Sequence, residues 1–136
     1  MKVYFDTLEV STSKRIELVN ITRQVEEAVE KSGVKDGICL VFAPHATAAV
    51  IANEDERGLK EDIVKWLEEN FPHDGGWKHN LVDDNASAHL ASAFTSSCRM
   101  FPVRGGELVR GVWQSIFLVE MDGPRRRKVV VEVLGI

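Results

Sequence analysis

The stretch Lys2–Val10, "KVYFDTLEV", places apolar side chains at Val3, Phe5, Leu8 and Val10 with polar ones between, the near-two-residue period of a half-buried strand. After the polar "STSK", the segment "KRIELVNI" repeats that character, and the two are expected to pair as a hairpin. The period then changes. "NITRQVEEAVEKSGVKDG" carries Val25, Ala28 and Val29 at helical spacing, with Thr22 as the expected cap and Gly33 as the stop. "GICLVFAPHATAAVIANE" is almost wholly apolar and broken at Ala43-Pro44-His45, which predicts two buried strands around a bend that carries His45. A second helix follows: "EDERGLKEDIVKWLEENFP" sets Leu59, Ile63, Trp66 and Leu67 on one face, acids at its start and Pro72 beyond its end. A polar loop, "HDGGWKHNLVDD", leads into a short alanine-rich helix over "NASAHLASAFTSS", capped by Asn85 and holding His89 in its first turns. The remainder predicts strands: "CRMFPV", a Gly105-Gly106 turn, "ELVRGVWQSIFLVEM", a turn at "DGPR", and "RKVVVEVLGI".

Because helices and strands do not alternate regularly, this pattern implies an α+β domain with a mixed or antiparallel sheet and about three helices. The 136 residues fit one domain, 1–136, with no linker or repeat. Seventeen basic residues against twenty-one acidic ones leave a charge of -4, so no overall field draws the chain to nucleic acid or an anionic membrane. Cys39 and Cys98 form no CxxC pair, and no apolar run approaches the roughly 18 residues of a membrane helix. A reduced, cytoplasmic setting is expected, with no nucleic acid or membrane partner.

Candidate chemistry gathers in "KHNLVDDNASAHL", residues Lys78–Leu90, which puts His79 and His89 around Asp83, Asp84 and Asn85. With His45 at the strand break, three neutral imidazoles and one open position are the donor pattern of a catalytic divalent site, zinc favoured, magnesium or manganese possible. The plainer alternative is a solvated His79 and a His89 bonded to Asp83 or Asp84. In "ANEDE", Glu54 and Asp55 follow an apolar strand, where a carboxylate acts as general base or orients a histidine, unless Asn53 or Asp55 is the cap of the second helix. In "RGVWQSIFLVEMDGPRRRKV", Trp113 and Gln114 offer a flat wall and an amide for a planar ligand, or Trp113 belongs to the core. Arg125, Arg126 and Arg127 offer phosphate contacts at a turn, or form a solvated or intersubunit face.

The segments "PHATAAVIANEDERGLKEDI", "HNLVDDNASAHL" and "FPVRGGELVRGVWQSIFLVEMDGPRRRKVVVEVLG" resemble, in order and spacing, the YjbQ family, also called secondary thiamine-phosphate synthase. The resemblance runs from about His45 to the C-terminus. It implies a homotrimer of compact α+β subunits with a pocket near the subunit interfaces. His45, His79 and His89 then match its histidines, Glu54 and Asp55 its acids, and Trp113 and Gln114 its Trp-Gln pair. Asn85 lies in its "DDNA" segment and, with Arg126, joins the expected substrate-binding set. The implied activity joins a hydroxymethylpyrimidine pyrophosphate to a thiazole phosphate with loss of pyrophosphate. An ion on the histidines would neutralise phosphate charge while Glu54 moves a proton. Ala46, Val112 and Cys98 stand where the family commonly carries a hydroxyl, which points toward a different or poorer substrate if those hydroxyls bind phosphate. A metal-dependent phosphohydrolase and a non-catalytic binder of a small phosphorylated ligand are the alternatives.

Overall fold

A computed structural model describes residues 1–136 as an α+β domain of three helices and two antiparallel sheets. Strands β1 (Lys2–Ser11), β3 (Gly37–Phe42), β5 (Cys98–Arg104), β6 (Glu107–Leu108) and β8 (Arg126–Gly135) form a five-stranded sheet in the order β1-β8-β3-β5-β6. Strands β2 (Glu17–Asn20), β4 (Ala48–Asn53) and β7 (Ser115–Glu120) form a three-stranded sheet in the order β2-β7-β4. The helices are α1 (Thr22–Ser32), α2 (Arg57–Asn70) and α3 (Ala86–Thr95), with a single 3-10 turn at Lys78–Leu81.

The three-stranded sheet lies in the middle. Ala48, Val50, Ile116 and Leu118 on one of its faces join Val25, Ala28 and Val29 of α1 and the inner residues of the large sheet, such as Val41, Val103 and Val131, in the main core. Its other face, Ala49 and Val119, packs with Leu67 of α2 and with Ala88 and Ala91 of α3 in a second, smaller core. Burial on both faces explains why "AAVIAN" and "SIFLVE" do not alternate: both sides of those strands are covered except toward the Asn53 end of β4.

The expected hairpin between the first two strands does not form. β1 pairs along its whole length with the equally long β8, from Lys2 opposite Gly135 to Ser11 opposite Arg126. β2 pairs with β7 in the other sheet. The turn chemistry of "STSK" is used instead to carry the chain between sheets, because Thr12 is bonded to Glu120 and Arg125 across the fold. The strand expected over "ELVRGVWQSIFLVEM" is also interrupted. Gly111 closes a loop on Gln114, whose side-chain oxygen accepts the Gly111 N–H and whose carbonyl accepts from Arg110, so β7 begins only at Ser115.

Helix ends are set partly as expected. Gly33 ends α1 at φ 68, a left-handed conformation that costs glycine little. Thr22 is the first residue of α1 rather than its cap; Asn20 Oδ1 accepts its N–H, and its hydroxyl accepts the N–H of Ile116 on β7. α2 is capped by Glu56, whose carboxylate accepts the N–H groups of Gly58 and Leu59, rather than by Asn53 or Asp55. Those two bonds hold the Glu56 carboxyl below its ordinary range.

One polar cluster is fully enclosed. Arg127 (5% exposed) donates from Nε to Glu120 Oε1 at 2.9 Å and from its second nitrogen to Glu120 Oε2 and to the Thr47 hydroxyl. Glu120 (0% exposed) also accepts from the Thr12 hydroxyl at 2.7 Å and from the N–H groups of Met121 and Asp122. Burial alone would raise the Glu120 carboxyl, but the bonds from Arg127, Asp122 and Thr12 outweigh it and hold it below its ordinary 4.5. Its contribution to stability is therefore complete above about 4.5 and is lost as pH falls through the lower folded value. Arg127→Met, which strands a buried carboxylate, is expected to lower unfolding stability at pH 7 by about 3–5 kcal/mol in denaturant melts. Glu120→Leu with Arg127→Met is expected to recover much of that loss, and Glu120→Gln to remove part of the acid sensitivity below about 4.5.

Candidate functional site

The bend between β3 and β4 exists because the chain changes sheet there. His45 is half-buried at that bend, and its Nε2 lies 2.9 Å from the Lys128 N–H and 3.1 Å from the Lys128 carbonyl. β3 pairs with β8 only as far as Phe42 opposite Val130, so the imidazole takes up the backbone groups of β8 that β3 no longer reaches. An orphaned N–H is rarer than an under-used carbonyl, which favours Nε2 as acceptor and a proton on Nδ1. Burial, then the positive charge of Arg127, holds His45 below its ordinary 6.5; the Lys128 carbonyl and the Glu120 charge, which favour the protonated ring, oppose this and lose.

His45 shares an open pocket of about 460 Å3 with His89, Ser92, Ser96 and Ser97. α3 supplies His89 and Ser92, the latter fixed by its bond to the Ala48 carbonyl at 2.8 Å. Ser96 is the one non-glycine with a positive φ, 83°, a strained conformation worth about 1–3 kcal/mol that clusters at functional positions. His79, exposed on the 3-10 turn, stands edge to face with His89 at 4.6 Å between ring centroids. This end of the molecule thus offers three imidazoles and several hydroxyls.

The three histidines do not close on a common point. No three His, Cys, Asp or Glu side chains of the chain are arranged to hold an ion. His79 and His89 suit two positions of a zinc-type donor set, but His45 Nε2 is engaged by β8, so the third position is not provided within one chain. Nor does either bonded alternative hold: Asp83 and Asp84 make local bonds, Asp83 Oδ1 accepting the Asp84 N–H.

Asn85, expected as cap and substrate contact, is buried at the start of α3 and makes no side-chain cap bond. Its Nδ2 donates to Asp122 Oδ2 at 2.9 Å, while Oδ1 is buried with no partner, an acceptor that a ligand N–H or a water would satisfy. The α3 terminus is served instead by Asn80, whose Oδ1 accepts the Ala86 N–H.

The remaining expected residues lie elsewhere. β4 runs from the His45 bend to Asn53, and six residues at about 3.3 Å each put roughly 20 Å between His45 and Glu54. Asp55 is bonded to Lys60 and Asn20, and those bonds hold its carboxyl below the usual range. Because Asn53 pairs with Ser115, Trp113 and Gln114 lie toward this acidic end; Trp113 is 72% exposed in a loop, neither a core residue nor a strand wall. The arginines separate as well. Arg125 pairs with Asp122, Arg127 is enclosed, and Arg126 alone stays exposed and unpaired, on the first residue of β8.

Sequence reasoning passed over Glu120 and Thr47, and took Arg127 for a phosphate contact or a solvated or intersubunit face where it is the enclosed partner of Glu120. The signal was an acid closing an otherwise apolar strand, "SIFLVE", opposite a basic run.

A family model described as UPF0047 protein YjbQ-like matches residues 6–136. The chain belongs to this family. An Archaeoglobus fulgidus UPF0047 protein is 45% identical over 93% of this chain and 98% of its own, and Bacillus subtilis YugU is 34% identical over 95% and 98%. The crystal structure of a YbjQ-like protein of unknown function from Sulfolobus solfataricus superposes with a TM-score of 0.98 at 60% identity, covering 99% of both chains. A hypothetical protein from Aeropyrum pernix follows at TM-score 0.95 and 45% identity, covering 97% and 98%. These two solved structures thus share the fold over nearly the whole chain.

The His45 imidazole is expected to titrate below 6.5, with a ring-nitrogen NMR signature of protonated Nδ1 and hydrogen-bonded Nε2 in its neutral form. A protonated Nε2 at pH 8 would contradict this arrangement.

Proposed function

We propose that the chain is a small-molecule enzyme for phosphorylated substrates, of the kind that joins a hydroxymethylpyrimidine pyrophosphate to a thiazole phosphate, and that it works as a homotrimer. The observation that carries the reading is the pocket in which His45 and His89 meet serine hydroxyls beside His79. Imidazole N–H and hydroxyl donors suit phosphate oxygens, and imidazoles hold or release a proton near neutral pH. The thiazole nitrogen would attack the methylene carbon of the pyrimidine, forming a C–N bond as the carbon–oxygen bond breaks and leaves its electrons on the departing pyrophosphate oxygen. His45, donating from Nδ1, and the Ser97 hydroxyl would hold that group, those of Ser92 and Ser96 being given to the Ala48 and Cys98 carbonyls, while His89 with His79 would give it a proton. In place of that proton, a divalent ion held by His79 and His89 would supply Lewis-acid neutralisation of the same charge. Asn85, whose Oδ1 is sealed from solvent, would act on the substrate through a water, and the exposed Arg126 would add positive charge from the start of β8.

Assembly has its own support. The five-stranded sheet is covered by α1 on one face, while the other presents Val3, Phe5, Ile38 and Met100 at 64%, 62%, 38% and 60% exposure. An apolar sheet face of this kind marks a contact with another protein surface, here assigned to further copies of the chain. Such assembly gives Glu54, Asp55, Trp113 and Gln114 a route to a neighbour's histidine pocket. A second reading, binding of a phosphorylated ligand without turnover, is favoured by the distance between those acids and the histidines within one chain.

The test uses protein purified without a metal-affinity tag, alongside His45→Ala, His79→Ala and His89→Ala. The enzyme reading expects pyrophosphate release from the two thiamine precursors, reduced about 100-fold or more in His89→Ala with an unchanged melting temperature. Elemental analysis is expected to find zinc, manganese or magnesium, lost in His79→Ala and His89→Ala. A rise in melting temperature with pyrophosphate, with no turnover of the precursors or of a phosphomonoester, establishes the binding reading; neither turnover nor a rise sinks both. Light scattering is expected to give three times the 15.2 kDa of one chain, falling in Phe5→Glu.

A further inference from the structure

A second cavity, of about 290 Å3, shares no lining residue with the histidine pocket. It opens between α2 and the outer face of the three-stranded sheet: Ile51 and Val119 form its floor, and Ile63 and the Trp66 indole its wall. Its volume is close to the lower bound for small-ligand sites, enough for one ring and a head group.

Its polar lining is unusual for a gap beside an apolar core, because every charged or amide group in it can donate and no carboxylate is present. Arg99 is half-buried there. Its guanidinium gives one bond to the Cys98 carbonyl at 3.2 Å and one to the Thr95 carbonyl at 3.0 Å. An arginine has five N–H donors, so three are left without a protein partner. The comparable half-buried Arg110 and buried Arg127 each face a glutamate, Glu26 and Glu120. Arg99 has no such partner, although holding a cation against apolar surface without a counter-charge is costly. Asn53 adds its amide N–H groups, since its side-chain oxygen is already taken by the Glu54 N–H, and Trp66 adds an indole N–H.

We propose that this cavity is a second ligand site, for a small anion with a planar apolar body, an aromatic carboxylate or phosphate ester. Arg99 meets the anionic group in a forked contact, and the ring lies between the Trp66 indole and the floor of Ile51 and Val119. The ordinary role of Arg99, holding the Thr95 carbonyl at the end of α3 and the Cys98 carbonyl at the start of β5, uses two of its donors and leaves the rest for the ligand.

The test is titration of the full chain with benzoate, phenyl phosphate and the neutral isostere benzamide. The readouts are the indole N–H resonance of Trp66, assigned through Trp66→Phe, and the Asn53 side-chain amide. One or both anions are expected to bind about tenfold or more tightly than benzamide, and benzoate against phenyl phosphate identifies the head group. Arg99→Gln is expected to bring the anions down to the benzamide level. Equal affinity for benzoate, phenyl phosphate and benzamide overturns the proposal. So do shifts that fall on His45 and His89 instead, anion affinity unchanged in Arg99→Gln, or a Trp66 indole buried by a second copy of the chain in solution. If Arg99→Gln fails to fold, the wild type still decides: anion affinity must weaken as NaCl is raised while benzamide binding does not, and anion binding indifferent to salt overturns the proposal.

Discussion

The fold depends on a charge it cannot leave unpaired. Glu120 closes β7 with its carboxylate sealed from water, between β2 on one side and β4 on the other. A carboxylate in that position is tolerated because Arg127, Thr12 and two backbone N–H groups supply its partners. Those partners come from the end of β1, the turn after β7 and the start of β8, and Arg127 reaches on to Thr47 at the β3–β4 bend. One enclosed ion pair thus ties together three of the places where the chain passes between its two sheets, after β1, before β4 and after β7. The histidine pocket is built on one of them, and the charge of Arg127 reaches His45 from below.

That arrangement makes His45 a hybrid of structure and chemistry. Its ring completes the hydrogen bonding of β8 where β3 stops, which fixes its orientation and determines which nitrogen faces the pocket. A histidine pinned this way is a poor third metal ligand through Nε2 and a good fixed donor through Nδ1. His79 and His89 carry no such restraint, and the proposed proton or ion chemistry of this end is assigned to them. The same economy appears in Arg99, which both closes α3 and retains donors for a cavity.

β4 acts as a spacer. It holds the histidines at one end of the molecule and the acids with Trp113 and Gln114 at the other, with the doubly buried three-stranded sheet between. Residues that sit close in the family's motif order are therefore not close in one chain. In the proposed assembly the acidic end of one copy would complete the histidine pocket of another, with the exposed apolar face of the large sheet as the contact.

Taken alone, the order of residues determined every helix and almost every strand, because periods of two and 3.6 and the stops at Gly33 and Pro72 are local properties of the chain. It also determined that His45 sits on a bend and that His79 and His89 flank one short segment. Only the tertiary structure decided the partners: β1 with β8 rather than β2, Glu56 rather than Asp55 as the cap of α2, a loop rather than a strand at Trp113. The physical reason is that pairing and burial are settled between distant segments. The β1–β8 pairing spans more than a hundred residues, and the Glu120–Arg127 pair draws on Thr12 and Thr47 from elsewhere in the chain. No window of sequence contains the dielectric that makes Glu120 need Arg127, or the end of β3 that makes Lys128 need His45.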